Sequence, residues 1–192
     1  MKTLLISAAA AASALIPAAA QAQAIPPAIV AVVDLQKVSS QCNACKTAAA
    51  TINSQISSLR TRQQTLAGPL QTEQKTIQDQ IDALKGKEPD AALKARAQSW
   101  QTKRDQAQQE ISRQEEQIQA NGQYVQRQIA EKLGPIYSQV MTRRGANVLV
   151  EQGATLASGG SLDVTNDVLA ALNAALPTIS TTAPAQTQSQ GR

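Results

Sequence analysis

Two cysteines, Cys42 and Cys45, are the side chains of this 192-residue sequence whose type and spacing are most capable of chemistry. A pair with this spacing can form a disulfide, contribute to a zinc site or exchange electrons with other thiols. Zinc would need further ligands, and the chain has no histidine and no third cysteine. A covalent haem would need histidine directly after Cys45, where Lys46 stands. We therefore expect no metal or cofactor, and favour a disulfide of local effect in an oxidising compartment.

A redox role for Cys42 and Cys45 is the alternative, because thioredoxin-like proteins use the same spacing. Those proteins place the pair in a βαβ unit, whereas a short strand and a long helical region surround it here. The absence of histidine also removes the commonest general base. The glycines Gly159 and Gly160 lack the context of a phosphate-binding loop. We predict that the protein is not an enzyme and has no catalytic residues.

A long helical hairpin is predicted for residues 46–133, where apolar residues recur at 3- and 4-residue spacing on an otherwise polar background. The pattern is interrupted at residues 86–90, which predicts the tip of an antiparallel pair. Pro89 would then lie in the first turn of the second helix. The predicted seam of the first helix contains Ile52, Ile56, Leu59, Gln63, Leu66, Leu70, Gln74, Ile77, Ile81 and Leu84. The predicted seam of the second contains Leu93, Ala97, Trp100, Arg104, Ala107, Ile111, Gln114, Ile118, Gly122, Val125, Ile129, Leu133, Ile136 and Val140.

Proline and glycine predict where these helices bend and end. A kink is expected at Pro69, because proline removes a backbone donor and clashes with the preceding turn. The pair Gly134-Pro135 is expected to break the second helix as it enters the body. Gly145 is the predicted stop, with Arg143 and Arg144 favourably placed in the last turn. The helices would span about 43 and 56 residues, or about 65 and 84 Å.

A short apolar segment before the hairpin predicts one buried strand. It runs from Ile29 to Val33, is rich in β-branched residues and follows two prolines. Its expected end is Asp34. Ser39 and Ser40 are candidate caps for the helix that follows.

The segment after the hairpin predicts a second buried strand at residues 148–150 and a third at residues 154–157. Thr165 is the predicted N-cap of a last helix that runs to about Leu176, before Pro177. With residues 25–45, residues 134–177 would form a small β/α body. We expect oligomerisation, because about 65 residues bury little apolar surface and leave sheet edges unpaired. The predicted class is therefore α+β, mostly α, with a coiled-coil hairpin projecting from a β body that several copies complete.

The two chain ends predict export and disorder. Residues 1–22 read as a cleaved signal peptide, with Lys2 before an apolar run and small residues at the cleavage site. An uncleaved membrane anchor is the alternative, but the apolar run is short for a span. We expect a soluble, exported protein in the periplasm. Residues 178–192 lack periodicity and are predicted to be disordered.

Positive charge is concentrated near the predicted tip. The run from Lys85 to Arg104 contains six basic and two acidic residues, within a chain of net charge +4. It is either an ordinary solvated helix surface or a patch that attracts anionic partners. Because exported proteins rarely meet nucleic acid, anionic lipid or an acidic polypeptide is the expected partner.

Two segments resemble the Skp/OmpH family of periplasmic chaperones for outer-membrane proteins. They are "IVAVVDLQKV" at residues 29–38 and "ANVLVEQGATLASGGSLDVTNDVLAAL" at residues 146–172, in which Asp163-Val164-Thr165 corresponds to the family's last helix start. The resemblance implies a homotrimer with a β-barrel body and three helical arms around a cavity. It also implies a holdase that binds unfolded outer-membrane β-barrel proteins without ATP.

The resemblance leaves several features unassigned. Cys42, Cys45 and the polar tail are outside the family pattern, and no lipopolysaccharide site maps onto this chain, although lipopolysaccharide and anionic lipid remain candidate partners. A coiled-coil adaptor of the cell envelope is an alternative function. Basic residues of the distal arm are the predicted client contacts: Lys75, Lys85, Lys87, Lys94, Arg96, Lys103 and Arg104.

Overall fold

A computed structural model describes residues 26–184 of the protein, and these form two long helices joined to a small α/β body. The predicted signal peptide and residues 185–192 lie outside the described residues. Short 3₁₀ turns occupy Gln152–Ala154 and Gly160–Leu162. The other elements are β1 (Val30–Val33), α1 (Leu35–Gln41), α2 (Asn43–Ala83), α3 (Ala91–Arg144), β2 (Val148–Glu151) and α4 (Thr165–Ala175). This order confirms the predicted α+β fold.

The helical hairpin consists of α2, with 41 residues, and α3, with 54 residues. At a rise of ~1.5 Å per residue they are about 62 and 81 Å long. At the tip, Lys85 and Gly86 have positive φ values of 49° and 86°. Asp90 is the N-cap of α3, where its carboxylate accepts a hydrogen bond of 2.8 Å from the Leu93 N–H. Pro89 therefore precedes the cap, and its predicted place in the first helical turn was wrong.

Both helices continue through their internal prolines. α3 runs past Pro135 to Arg144, so the predicted break at Gly134-Pro135 was wrong. Pro135 is exposed, whereas Ile136 and Val140 beside it are 4% and 0% exposed. Burying that apolar face offsets the cost of an internal proline, which loses one helical hydrogen bond and clashes with the preceding turn, at about 3 kcal/mol in total. Pro69 is likewise inside α2 and exposed, and the kink there stays a prediction.

The body contains a two-stranded parallel sheet in which Val30 pairs with Val148 and Val33 with Glu151. The whole hairpin is the crossover connection between β1 and β2. The opposite edge of β1 is occupied by Asp163, which forms a parallel bridge with Val32. Residues 154–157 form no strand, because the chain turns away after β2 in a 3₁₀ turn and the second edge of β1 is already paired. The predicted third strand was therefore wrong.

The first helix of the hairpin begins at Asn43 with Cys42 as its N-cap, so the predicted caps Ser39 and Ser40 were wrong, and a separate short helix, α1, precedes it. Asp34 caps α1, because its carboxylate accepts a hydrogen bond of 2.7 Å from the Lys37 N–H. Ser39 and Ser40 lie inside α1, where their hydroxyls donate to the carbonyls of Leu35 and Lys37. An acidic side chain accepts helix N–H groups as well as serine does, and Asp34 comes first along the chain.

Thr165 connects the segment before the hairpin to the segment after it. It is the first residue of α4 and not its N-cap as predicted, since Val164 precedes it at the cap position. Its hydroxyl accepts a hydrogen bond of 2.9 Å from the Asp34 N–H. Asp163 accepts a hydrogen bond of 2.8 Å from the Thr165 N–H. Hydrogen bonds from Thr165 hold the pKa of the Asp163 carboxyl below its usual range.

The hydrophobic core lies where α1, the first turns of α2, the base of α3 and α4 meet β1. Within the single chain most of β1 is buried, but Val148 of β2 is 38% exposed. The second strand is therefore less buried than predicted. The most enclosed core side chains are Val38, Cys42, Val140, Val168 and Leu172.

Candidate functional site

The two cysteines are joined by a disulfide at the junction of α1 and α2. Their Cα atoms are 5.1 Å apart, and Cys42 is the N-cap of α2. Cys42 and Cys45 are 0% and 6% exposed and belong to the core of the body. Thiol exchange requires access for an attacking thiolate, so this burial favours the structural role over the redox role.

Within residues 26–184, no cluster of three or more His, Cys, Asp and Glu side chains is arranged to hold a metal ion. None of the helices described is both long enough and apolar enough to cross a membrane. The candidate site is the surface of the arm, which we define as residues 46–83 of α2 and 91–133 of α3.

Apolar packing between α2 and α3 follows the predicted seam. Leu59 and Ile77 of α2 and Val125 and Ile129 of α3 are 6–8% exposed, which confirms the periodicity. Ile81 is 40% exposed although it was assigned to the seam. It lies in the last turn of α2, where no further helical turn covers it. The apolar residues of the seam hold the arm together, and most of their surface is used in this packing.

Charged contacts across the hairpin add to this packing. The Arg96 guanidinium binds both oxygens of Glu73 at 2.6 and 2.9 Å, and Arg62 binds Glu110 at 2.7 and 3.1 Å. The hydrogen bonds from these arginines hold the pKa of Glu73 and of Glu110 below the usual range of glutamate. Bidentate contacts between arginine and glutamate require a defined geometry. They therefore favour one register of α2 against α3.

Trp100 attaches α3 to α2 next to the proline of α2. Its indole N–H donates a hydrogen bond of 2.9 Å to the Leu70 carbonyl, one residue after Pro69. The Arg104 guanidinium lies 5.3 Å from the centroid of the Trp100 ring, within the range of a cation–π contact. The sequence placed Trp100 in the seam but contained no signal for its hydrogen bond.

The predicted basic client contacts divide into two groups. Lys85, Lys87 and Lys103 are exposed and have no carboxylate within 4.0 Å among residues 26–184. The other four each have an acidic partner, in the pairs Lys75–Asp79, Lys94–Glu88, Arg96–Glu73 and Arg104–Asp105. Of the seven predicted contacts, only these three lysines of the distal half of the arm carry positive charge without an acidic partner, fewer than the sequence run implied.

A cluster of amide side chains near the base of the arm was not predicted. Asn121 of α3 is 4% exposed, and its side chain bonds to Gln55 of α2 at 3.0 Å and to Gln117 at 2.8 Å. Gln128 lies two turns nearer to the body. These residues bind the segment after α4, which corrects the prediction of disorder for residues 178–184. In helices rich in glutamine, spacing alone does not identify which amides become buried.

Comparison with known proteins is consistent with this architecture. A crystal structure of a Caulobacter crescentus CB15 protein, assigned as an outer membrane chaperone (OmpH-like), has the same fold, with a TM-score of 0.66 and 22% identity over 81% of this chain and 90% of that one. No curated protein sequence matches the chain. A family model described as outer membrane protein (OmpH-like) matches residues 29–172, from the segment that contains β1 into α4. The chain therefore belongs to the OmpH-like family.

Proposed function

We propose that the protein is an ATP-independent holdase chaperone of the periplasm, which binds unfolded outer-membrane β-barrel proteins between helical arms and prevents their aggregation. The observation that carries this proposal is the long hairpin on a small body, in a chain that belongs to the OmpH-like family. The Caulobacter protein of the same fold, assigned as an outer membrane chaperone, adds support.

The arm surface suits weak binding of an unfolded chain. Its apolar side chains are largely used between α2 and α3, so its outer faces offer mainly amide, hydroxyl and charged groups. Such groups give many contacts of small energy, and a client without fixed structure can make and break them independently. Uncompensated lysines near the tip attract acidic clients over about a Debye length.

Self-association is part of the proposal, with a homotrimer as the expected state. Among the described residues, the outer edge of β2 has no strand partner. Exposed apolar side chains lie on the body, where Ile29 is 54%, Val148 38% and Leu162 39% exposed. Pairing of strand edges and burial of these side chains between copies would remove both from water.

A mass measurement combined with an aggregation assay tests this proposal. We expect the mature chain to have a solution mass near three copies and to suppress aggregation of an outer-membrane β-barrel protein diluted from urea. Protection should be complete near one trimer per client and should not require ATP. Serum albumin at equal mass is the control. A monomeric chain without protection would contradict the proposal and would instead fit an adaptor of the cell envelope.

Charge reversal at the uncompensated lysines tests how clients are attracted. Changing Lys85, Lys87 and Lys103 to glutamate is expected to weaken client binding about tenfold, since exposed charge contacts contribute about 0.2–1 kcal/mol each and reversal adds repulsion. The readout is the Kd for a labelled, unfolded outer-membrane protein at low and high salt.

A matched control reverses the same number of charges nearer the base. Lys46, Arg60 and Lys132 are exposed and also have no carboxylate within 4.0 Å among residues 26–184. Equal weakening by the two triple variants would show that net charge alone matters. Unchanged binding in the distal variant would remove these lysines from the client surface.

A further inference from the structure

The segment that follows α4 is bound to the arm through its backbone. The Gln128 side chain donates a hydrogen bond of 2.9 Å to the Ser180 carbonyl and accepts one of 3.1 Å from the Ser180 N–H. Gln55 of the other helix donates to the Thr181 carbonyl at 3.3 Å. Asn121 accepts from the Ala183 N–H at 2.8 Å. One peptide segment is thus held by amide groups from both helices of the arm.

The hydrogen bonds that hold this segment involve its backbone, while the Ile179 side chain packs against the core of the body. Ile179, Thr181 and Ala183 are partly buried, and the residues between them are exposed, as in an extended strand whose side chains alternate between two faces. No side chain of residues 178–184 forms a hydrogen bond to the arm, and the Ser180 hydroxyl bonds locally to the Thr182 carbonyl. The arm therefore recognises N–H and carbonyl groups, which every polypeptide has.

The amide groups of the arm are fixed by one another. Asn121 lies at the centre, since its amide nitrogen donates to Gln55 and its oxygen accepts from Gln117 as well as from Ala183. Because Asn121 is 4% exposed, these bonds form in a site largely shielded from water. Amide side chains offer both a donor and an acceptor, which is what pairing with a peptide backbone requires.

The groove continues beyond the bound segment. Along α3, residues with lower numbers lie nearer the tip of the hairpin. The step from Gln128 to Asn121 therefore leads away from the body and toward the tip. An open groove of about 520 Å³ between the two helices includes Gln55 and Asn121 and extends toward the tip as far as Arg62 and Gln114. Its lining combines apolar and polar side chains, among them Leu59, Arg62, Gln114 and Ile118. A longer extended chain could follow this groove along the arm.

We propose that this groove is a binding site for extended, unfolded polypeptide and that residues 178–184 are its intramolecular occupant, which a client displaces. The inference rests on the proposed chaperone function and identifies where on the arm a client backbone binds. A tethered occupant has a high effective concentration and lowers the apparent affinity for any competing chain. The occupant also provides hydrogen-bond partners for the side-chain amides of Gln55, Asn121 and Gln128 while no client is present.

The test compares the Kd of four chains for a labelled outer-membrane β-barrel protein diluted from urea, measured by fluorescence anisotropy. The first two are the full chain and a shortened chain that ends at Pro177. The third is the shortened chain with both Gln55→Ala and Gln128→Ala, and the fourth is the shortened chain with the control substitution Gln126→Ala. Gln126 is an exposed glutamine of α3 without a side-chain hydrogen bond to residues 26–184. Shortening should tighten binding about tenfold, as expected when an internal competitor occupies most of the groove. The double substitution should abolish that gain, and Gln126→Ala should retain it.

A second variant keeps the chain at full length. Ala183→Pro removes the N–H that donates a hydrogen bond to Asn121. It should therefore tighten client binding by a smaller factor than shortening the chain does. Hydrogen exchange should also show that the amides of Ser180 and Ala183 lose protection when client is added. Client binding that is equally tight in the full and shortened chains would overturn the inference while leaving the chaperone function intact. Failure of all the chains to bind client would instead reject the proposed function and this inference together.

Discussion

Replacing Leu172 with alanine is expected to lower the free energy of unfolding by about 3 kcal/mol, within the ~2–5 kcal/mol typical of buried leucines. Leu172 lies on α4 and is 0% exposed. It belongs to the same core as Val38, Val140 and Val168, which come from three different helices. Alanine would lose the transfer free energy of the removed atoms and leave a cavity between these elements.

Urea unfolding followed by circular dichroism measures this loss, with Leu156→Ala as the matched control. Leu156 is the same residue type but fully exposed on one copy of the chain, at 108%. Its substitution should change the free energy of unfolding by less than about 0.5 kcal/mol. A loss at Leu156 that grows with protein concentration would place this side chain in an interface between copies. A loss below about 1 kcal/mol at Leu172 would contradict its enclosure.

Replacing Thr165 with valine is expected to cost about 1–3 kcal/mol of stability, although valine has nearly the same shape. Thr165 is 1% exposed, and its hydroxyl is the acceptor for the Asp34 N–H. Valine would leave that backbone donor buried without a partner. The bond joins residues 131 positions apart, where the segments before and after the hairpin meet in the body.

Thr165→Ser is the control for this substitution, because it keeps the hydroxyl and removes only a methyl group. The serine variant should therefore be more stable than the valine variant in urea unfolding, despite being the smaller side chain. Equal stability of the two variants would show that packing, and not the hydrogen bond to Asp34, explains the role of Thr165.

These two residues show how the body supports the arm. The core residues of α1, α4 and the base of α3 surround the start of α2. The base of the hairpin is therefore held in the body by packing on several sides. Beyond it, α2 and α3 are joined by a narrow apolar seam, two arginine–glutamate contacts and the Trp100 hydrogen bond. An arm built in this way keeps its register while leaving most of its outer surface polar.

Features that depend on neighbouring residues were predictable. The 3- and 4-residue spacing predicted the hairpin, and residues 86–90 predicted its tip. Gly145 caps α3 with a φ of 66°, and Arg143 and Arg144 lie in the last turn, as expected for a left-handed stop. Cap positions were less predictable, because several polar residues near a helix start can accept the same N–H groups. Cys42 caps α2 in place of Ser39 or Ser40, and Val164 stands at the cap position predicted for Thr165.

The helical hairpin, the strand on each side of it and the final helix were predictable from the sequence alone, because periodicity and helix breakers act between residues close along the chain. The continuation of α3 through Pro135, the pairing of β1 with β2 and Asp163, and the binding of residues 178–184 to the amide groups of the arm were found only in the folded chain. Each of these depends on contacts between residues far apart in sequence. Their free energy comes from burying surface and pairing polar groups after the helices have packed, so a local pattern contains little information about them.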